Sequence, residues 1–129
     1  MATYAIPNLD EIFPAKINEL AEKCAKDLKD DKVKTTQIRN VYSGITQIRQ
    51  TFENEKVYSA VEMDLIMLKP KVAYAAGRQP TTVKPHFYPF IKEAVEAVEA
   101  SSDKNKAIQN FIYLMESVVA YHKFYDTNN

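Results

Sequence analysis

Catalysis requires reactive side chains that can meet one another, and this sequence supplies few. It has one cysteine, Cys24, and two histidines, His86 and His122. A Cys/His zinc site needs more ligands, and a lone cysteine allows no internal disulfide. The histidines lie far apart and fall in different predicted elements. Cys24 sits on the apolar face of a predicted helix, where an inert buried thiol is expected and not a nucleophile. Glu93, Glu96 and Glu99 recur at every third residue, but no histidine accompanies them at ligand spacing. On a helix surface such carboxylates are ordinarily solvated. The two glycines, Gly44 and Gly77, are isolated, so no phosphate-binding loop is present. Nucleophile, base and oxyanion donor do not assemble. No catalytic residue, no metal site and no cofactor are expected, and the chain reads as non-enzymatic.

Binding chemistry is better represented. From Leu65 to Lys92 there is no Asp or Glu, while Lys69, Lys71, Arg78, Lys84 and Lys92 all fall inside the window. Tyr74, His86, Phe87, Tyr88 and Phe90 are interleaved with them. Cations without a local counter-charge beside aromatic faces suit a surface that follows a phosphate backbone and stacks on bases. They are read equally well as solvated lysines whose acidic partners lie on other helices, such as Glu93 or Asp64. A second polar set, Arg39, Asn40, Ser43, Thr46, Gln47 and Gln50, falls on one side of a predicted helix at roughly 100° per residue. Arg39 can fork onto a phosphate there. Taken alone, that side is more simply an ordinary solvated face. Arg49 falls on the apolar side, near Ile38, Tyr42 and Ile45, where a cation snorkels or meets an acid of another helix or subunit.

The elements that must position these residues are helices. Two glycines are few for a sheet protein, and no segment alternates at period two for long. The apolar spacing of Leu9, Ile12, Phe13, Ile17, Leu20, Ala21, Cys24 and Leu28 predicts a first helix over about 10–28, its regular part starting near Pro14. A second opens at Thr35 or Thr36, both good N-caps, and carries Ile38, Val41, Tyr42, Ile45, Ile48 and Phe52. A third covers about 57–76 with Val61, Leu65, Leu68 and Val72 inward. Pro70 should kink it or divide it, and Gly77 should cap its C-terminus. The three prolines of 79–89 predict an extended loop. A fourth helix spans about 90–100, and a fifth runs from Ser102 or Asp103 to about Tyr125. The fold class is all-α, a compact bundle of about five helices in a single domain over 1–129. The fifth helix is apolar twice over: Ile108, Phe111, Ile112, Met115, Val118, Val119 and His122 on one stripe, Tyr113, Leu114, Tyr121 and Phe124 on another. The second stripe is expected to meet a partner.

Composition sets the outer limits. In 129 residues, 46% hydrophobic and 26% charged, a core can form without staples, burying roughly two-thirds of the unfolded surface. Lys+Arg and Asp+Glu both number 17, so bulk charge casts no vote for nucleic acid. The stretch Met1 to Leu9 does not read as a signal peptide and no run is long and apolar enough to span a bilayer, so a cytoplasmic location is expected.

Three stretches taken together resemble a known family. They are Thr35-Thr36-Gln37-Ile38-Arg39, the run from Leu68 to Arg78 with its Ala-Tyr-Ala-Ala-Gly-Arg core, and the ending Val118-Val119-Ala120-Tyr121-His122-Lys123-Phe124-Tyr125. In this order and spacing they are similar to the small subunit of type III-A CRISPR complexes, the Csm type, over about 34–125. The resemblance implies a prokaryotic antiviral-defence subunit that stacks head-to-tail with further copies as an inner filament. Its implied partners are the guide and target RNA backbone, the backbone subunits that carry the guide, and the large signature subunit. Target cleavage and signalling would belong to other subunits. Arg39 matches the Thr-Gln-Ile-Arg motif and Arg78 the Gly-Arg motif, with Lys69 and Lys71 flanking Pro70. These four are the expected RNA-binding residues, and Arg49, Tyr113, Leu114, Tyr121 and Phe124 the expected partner contacts. The competing reading is a self-associating helical scaffold that touches no nucleic acid, which the net neutrality favours.

Overall fold

The computed structural model describes residues 4–126, and every regular element among them is helical. The elements are α1 (Pro14–Asp30), α2 (Arg39–Glu55), α3 (Glu62–Arg78), α4 (Phe87–Glu99) and α5 (Lys104–Asp126), with 3-10 turns at Thr35–Gln37 and Tyr58–Ala60. Helix α1 opens with Pro14 in its first turn, where the missing N–H has no intrahelical partner to lose. Its buried stripe, Ile17, Leu20, Ala21, Cys24 and Leu28, lies along α5. Helix α5 is the central strut: Ile108, Phe111, Ile112, Leu114, Met115 and Val118 are all buried, and it packs on α1, α2 and α4. Each such Leu, Ile or Phe removed from water contributes about 1.5–3 kcal/mol.

Helices α2 and α3 form an antiparallel hairpin. Gln37, just before α2, donates through Nε2 to Oε1 of Gln79, just after α3, at 3.0 Å and closes the far end of the pair. Gly44 lets the two helices approach. A Cβ at that position would lie 2.9 Å from Leu68 Cδ2 and 3.4 Å from Lys71 Nζ.

Several boundaries differ from those the sequence predicts. Thr35 and Thr36 form a 3-10 turn, and the α-helix begins at Arg39. Helix α3 begins at Glu62, not Val57, because Val57–Val61 are taken up by a turn whose Tyr58 N–H donates to Asn105 Oδ1 at 2.7 Å. Pro70 does not divide α3, which runs unbroken to Arg78. Pro70 and Ile66, whose carbonyl the proline leaves without a helical partner, both lie on the exposed side, so the unpaired carbonyl is not forced into the core. Gly77 is not the cap: it is helical, and Gln79 ends the helix with φ −128°. The left-handed residues that do follow helices are lysines, Lys32 (φ 62°) after α1 and Lys56 (φ 60°) after α2, at about 1–2 kcal/mol each relative to glycine. Residues 79–86 are compact turns and not an extended loop. The Gln79 carbonyl accepts from the Val83 N–H at 3.0 Å, and Val83 is fully buried. Helix α4 starts at Phe87 because Pro89 falls in its first turn, where no helical bond is lost.

The segment before α1 is strapped to the start of α5. The Asp10 carboxylate accepts from the N–H groups of Ser102 (3.0 Å) and Asp103 (2.9 Å), and Asn110 Nδ2 donates to the Leu9 carbonyl at 2.7 Å. Asp103 Oδ1 in turn accepts from Lys106 N–H at 3.1 Å, capping α5. The Asp103 N–H, followed by the bonds from Ser101 and Ser102, holds the Asp10 carboxyl below its ordinary value of 3.8. A carboxyl lowered by folding adds stability above its unfolded pKa, and that contribution disappears as pH falls through the folded value. Asp10→Asn keeps an acceptor but not the charge. Thermal melts should place it below the wild type at pH 7, with the gap closing below about pH 4. A gap independent of pH would refute the charged strap.

Candidate functional site

The open end of the α2–α3 hairpin forms a groove of about 230 Å³ lined by Thr36, Gln37, Ile38, Arg39, Asn40, Val41, Lys71, Tyr74, Ala75, Arg78 and Gln79. It holds three cations and no carboxylate. Arg39 reaches it from the first turn of α2, while Lys71, Tyr74 and Arg78 reach it from the last two turns of α3, spaced so that they share one side. All four are exposed. Among the described residues no carboxylate forms an ion pair with Arg39, Lys71 or Arg78.

Local contacts fix their aim. Arg78 Nη1 donates to the Tyr74 hydroxyl at 3.1 Å, and its guanidinium carbon lies 5.9 Å from the centre of that ring. The pair therefore presents a charged plane beside an aromatic face. Lys71 crosses the space that a side chain at residue 44 would occupy. The groove's hydrogen-bonding complement, Thr36, Gln37, Asn40 and Gln79, supplies donors and acceptors but no negative charge. Such a surface can neutralise a row of phosphates and stack on an exposed base.

Lys69, the fourth expected cation, is elsewhere. It points toward α4, with Nζ 3.3 Å from Glu96 and 3.8 Å from Glu99. Lys92 joins the same cluster, 3.0 Å from Glu96. The Lys92 bond, then Lys69, holds the Glu96 carboxyl below its ordinary value. The acid-free window is thus compensated in part by glutamates that follow it in sequence. Of the glutamates at every third residue, Glu96 and Glu99 neutralise lysines while Glu93 accepts from the Tyr4 N–H at 2.8 Å, and among the described residues no group of three His, Cys, Asp or Glu could hold a metal ion.

The remaining expected residues are dispersed. Arg49 meets an acid of another helix, its Nε 3.0 Å from Glu116 of α5 and its Nη1 3.7 Å from Glu53. On α5, Tyr113 and Phe124 are exposed, and Tyr121 donates to Asn18 Oδ1 at 2.7 Å. Leu114 is fully buried in the chain's own core and offers no outward surface, a correction to the expected stripe. His122 is buried: the Val33 carbonyl accepts from its Nε2 at 3.0 Å, which leaves Nδ1 of the neutral ring to accept from the Tyr42 hydroxyl at 3.3 Å. His86 Nδ1 donates to Asp31 at 2.6 Å. Cys24 is fully buried, and burial followed by the nearby Asp27 pushes its thiol well above the ordinary range. No helix among the described residues is long and apolar enough to cross a membrane. Gln37, quoted only as part of a motif, and Gln79 are groove residues that the sequence did not mark as binding residues, since only the folded hairpin brings them together.

Among the described residues, fold and groove define a small all-helical bundle with an acid-free cationic cleft. The model of the Csm2 Type III-A family matches residues 13–128, and the chain belongs to that family, the small subunit of the type III-A Csm complex. The match takes in α1 as well as the later helices that carry the resemblance noted in the sequence. No curated protein and no solved structure matches the chain.

The groove depends on close helix approach at Gly44. Gly44→Leu forces a branched side chain against Leu68 and Lys71 and should lower stability by about 1–3 kcal/mol in urea unfolding. An unchanged midpoint would mean that the helices are not held together at this point.

Proposed function

We propose that this chain is the non-catalytic small subunit of a type III-A CRISPR effector in prokaryotic antiviral defence. In this reading copies of it stack as an inner filament beside the backbone subunits and the large signature subunit. Each copy holds the sugar-phosphate backbone of the guide–target RNA without reading its sequence. The observation that carries this reading is the convergence of Arg39, Lys71 and Arg78 on one groove without a facing carboxylate. Arg39 and Arg78 grip phosphates in fork geometry, Lys71 adds a point charge, and Tyr74 stacks on a base or ribose face. Lys69 contributes less, because RNA would have to displace its two glutamates. Tyr113, Tyr121, Phe124 and Arg49, from separate places on the surface, supply contacts to neighbouring subunits.

The formal net charge of zero favours RNA binding inside an assembly over strong binding by the free chain. It also favours the second reading, a scaffold without nucleic-acid contact. RNA affinity of the assembled complex, measured across salt concentrations, separates the two. Arg39→Ala with Arg78→Ala should flatten the slope of log K against log salt by about two units per engaged subunit, and Lys69→Ala should leave it nearly unchanged. An unaltered slope in the double variant would remove RNA contact from this groove and leave the scaffold reading.

A further inference from the structure

A second cationic recess lies where the connector between α1 and α2 meets the end of α5. Its volume is about 320 Å³, its lining is Lys29, Lys32, Val33, Lys34, His122 and Asp126, and it shares no lining residue with the groove. Three lysines outnumber its one carboxylate, Asp126. Among the described residues none of these lysines forms an ion pair. A lysine near a helix C-terminus offsets the helix dipole, but the last turns of α1 and α5 already hold Lys29 and Lys123 for that. Lys32 and Lys34 are surplus to it.

The backbone builds this recess. Helix α1 ends in a Schellman motif: the Val33 N–H donates to the Leu28 carbonyl and the Lys32 N–H to the Lys29 carbonyl, both at 3.0 Å. Lys32 takes the left-handed position (φ 62°) that such a motif usually gives to glycine. Val33 is buried, while Lys29, Lys32 and Lys34 around it are exposed. The Val33 carbonyl accepts from His122 Nε2 at 3.0 Å, which pins the connector to α5. Lys29 Nζ lies 5.9 Å from the centre of the Tyr125 ring, which draws it toward the same end of α5. The three charges are thus held around one opening by anchors in the core.

We propose that this recess docks an acidic segment of a different subunit, whose Asp and Glu side chains enter it from one extended stretch of chain. Charge complementarity selects an anion, and the chemistry of the lining selects a carboxylate. Lysine is a point charge with three rotatable donors, which suits carboxylates arriving from several directions. The recess has no arginine fork and no open ring: both His122 nitrogens are engaged, and Lys29 lies over Tyr125. A nucleic-acid strand needs an open track with a stacking platform, which the groove offers and the recess does not. With no net charge, the chain as a whole does not attract polyanions, so the attraction is local.

Carbodiimide treatment of the assembled complex tests this, because the reagent joins a lysine amine to a carboxylate in contact with it. Mass spectrometry should find Lys32 or Lys34 joined to Asp or Glu of a different subunit. Lys32→Gly suits the left-handed turn and Lys34→Ala falls on an exposed position, so the double variant should keep its helicity. It should bind the rest of the complex at least about tenfold more weakly. Links confined to this chain or to a second copy of it, or no links at all, overturn the proposal. So does a double variant that assembles as tightly as the wild type, and so does RNA photo-crosslinked to Lys29–Lys34, which would make the recess a phosphate site. The docking does not rest on the RNA reading. Arg39→Ala with Arg78→Ala should leave the carbodiimide links in place, and their loss there would also count against it.

Discussion

The close contact of α2 with α3 at Gly44 is the constraint on which the functional surface depends. A residue without a side chain lets Leu68 enter the core beneath α2 and lets Lys71 lie across the helix pair. The hairpin is antiparallel, so the start of α2 and the end of α3 arrive together, and the Gln37–Gln79 bond ties them. Arg39 and Arg78 lie far apart in the sequence. They line one groove only because of this geometry. The rest of the bundle, with α5 as its buried strut and the Asp10 strap over the start of α5, packs beneath the hairpin.

Charge compensation is decided in space and not along the chain. Lys69 and Lys71 flank Pro70 and look equivalent in the sequence. One helical step of about 100° separates neighbouring side chains, so residues two apart diverge by roughly 200°. Lys69 therefore turns toward α4 and its glutamates, and Lys71 toward α2 and the open groove. Arg78 stays uncompensated by acids and is oriented by an aromatic ring instead, which keeps its charge available.

Much of the fold is legible in the sequence. The 3.6-residue spacing of apolar side chains gave the number and order of the helices, and the absence of acids from Leu65 to Lys92 marked α3 as the helix to watch. Helix ends were less legible, because local rules compete there. Thr35 and Thr36 look like N-caps and form a 3-10 turn, Gly77 looks like a C-cap and stays helical, and lysines take the left-handed positions. Pro89 looks like a loop residue, yet it fits the first turn of α4. The two-sided α5 pattern predicts one core face and one partner face. Leu114 shows why that division is coarse: a central helix touches three neighbours, so part of its second stripe is core as well. Whether a lysine is paired depends on contacts between helices, which no local pattern encodes.

Photo-crosslinking between RNA and this subunit in the assembled complex, with adducts mapped by mass spectrometry, tests the central claim most directly. RNA lying in the α2–α3 groove predicts adducts on Tyr74 and on the peptides carrying Thr36–Val41 and Lys71–Gln79. Adducts confined to other surfaces, such as the Lys29–Lys34 connector or the exposed side of α5, with none on α2 or α3, would contradict it.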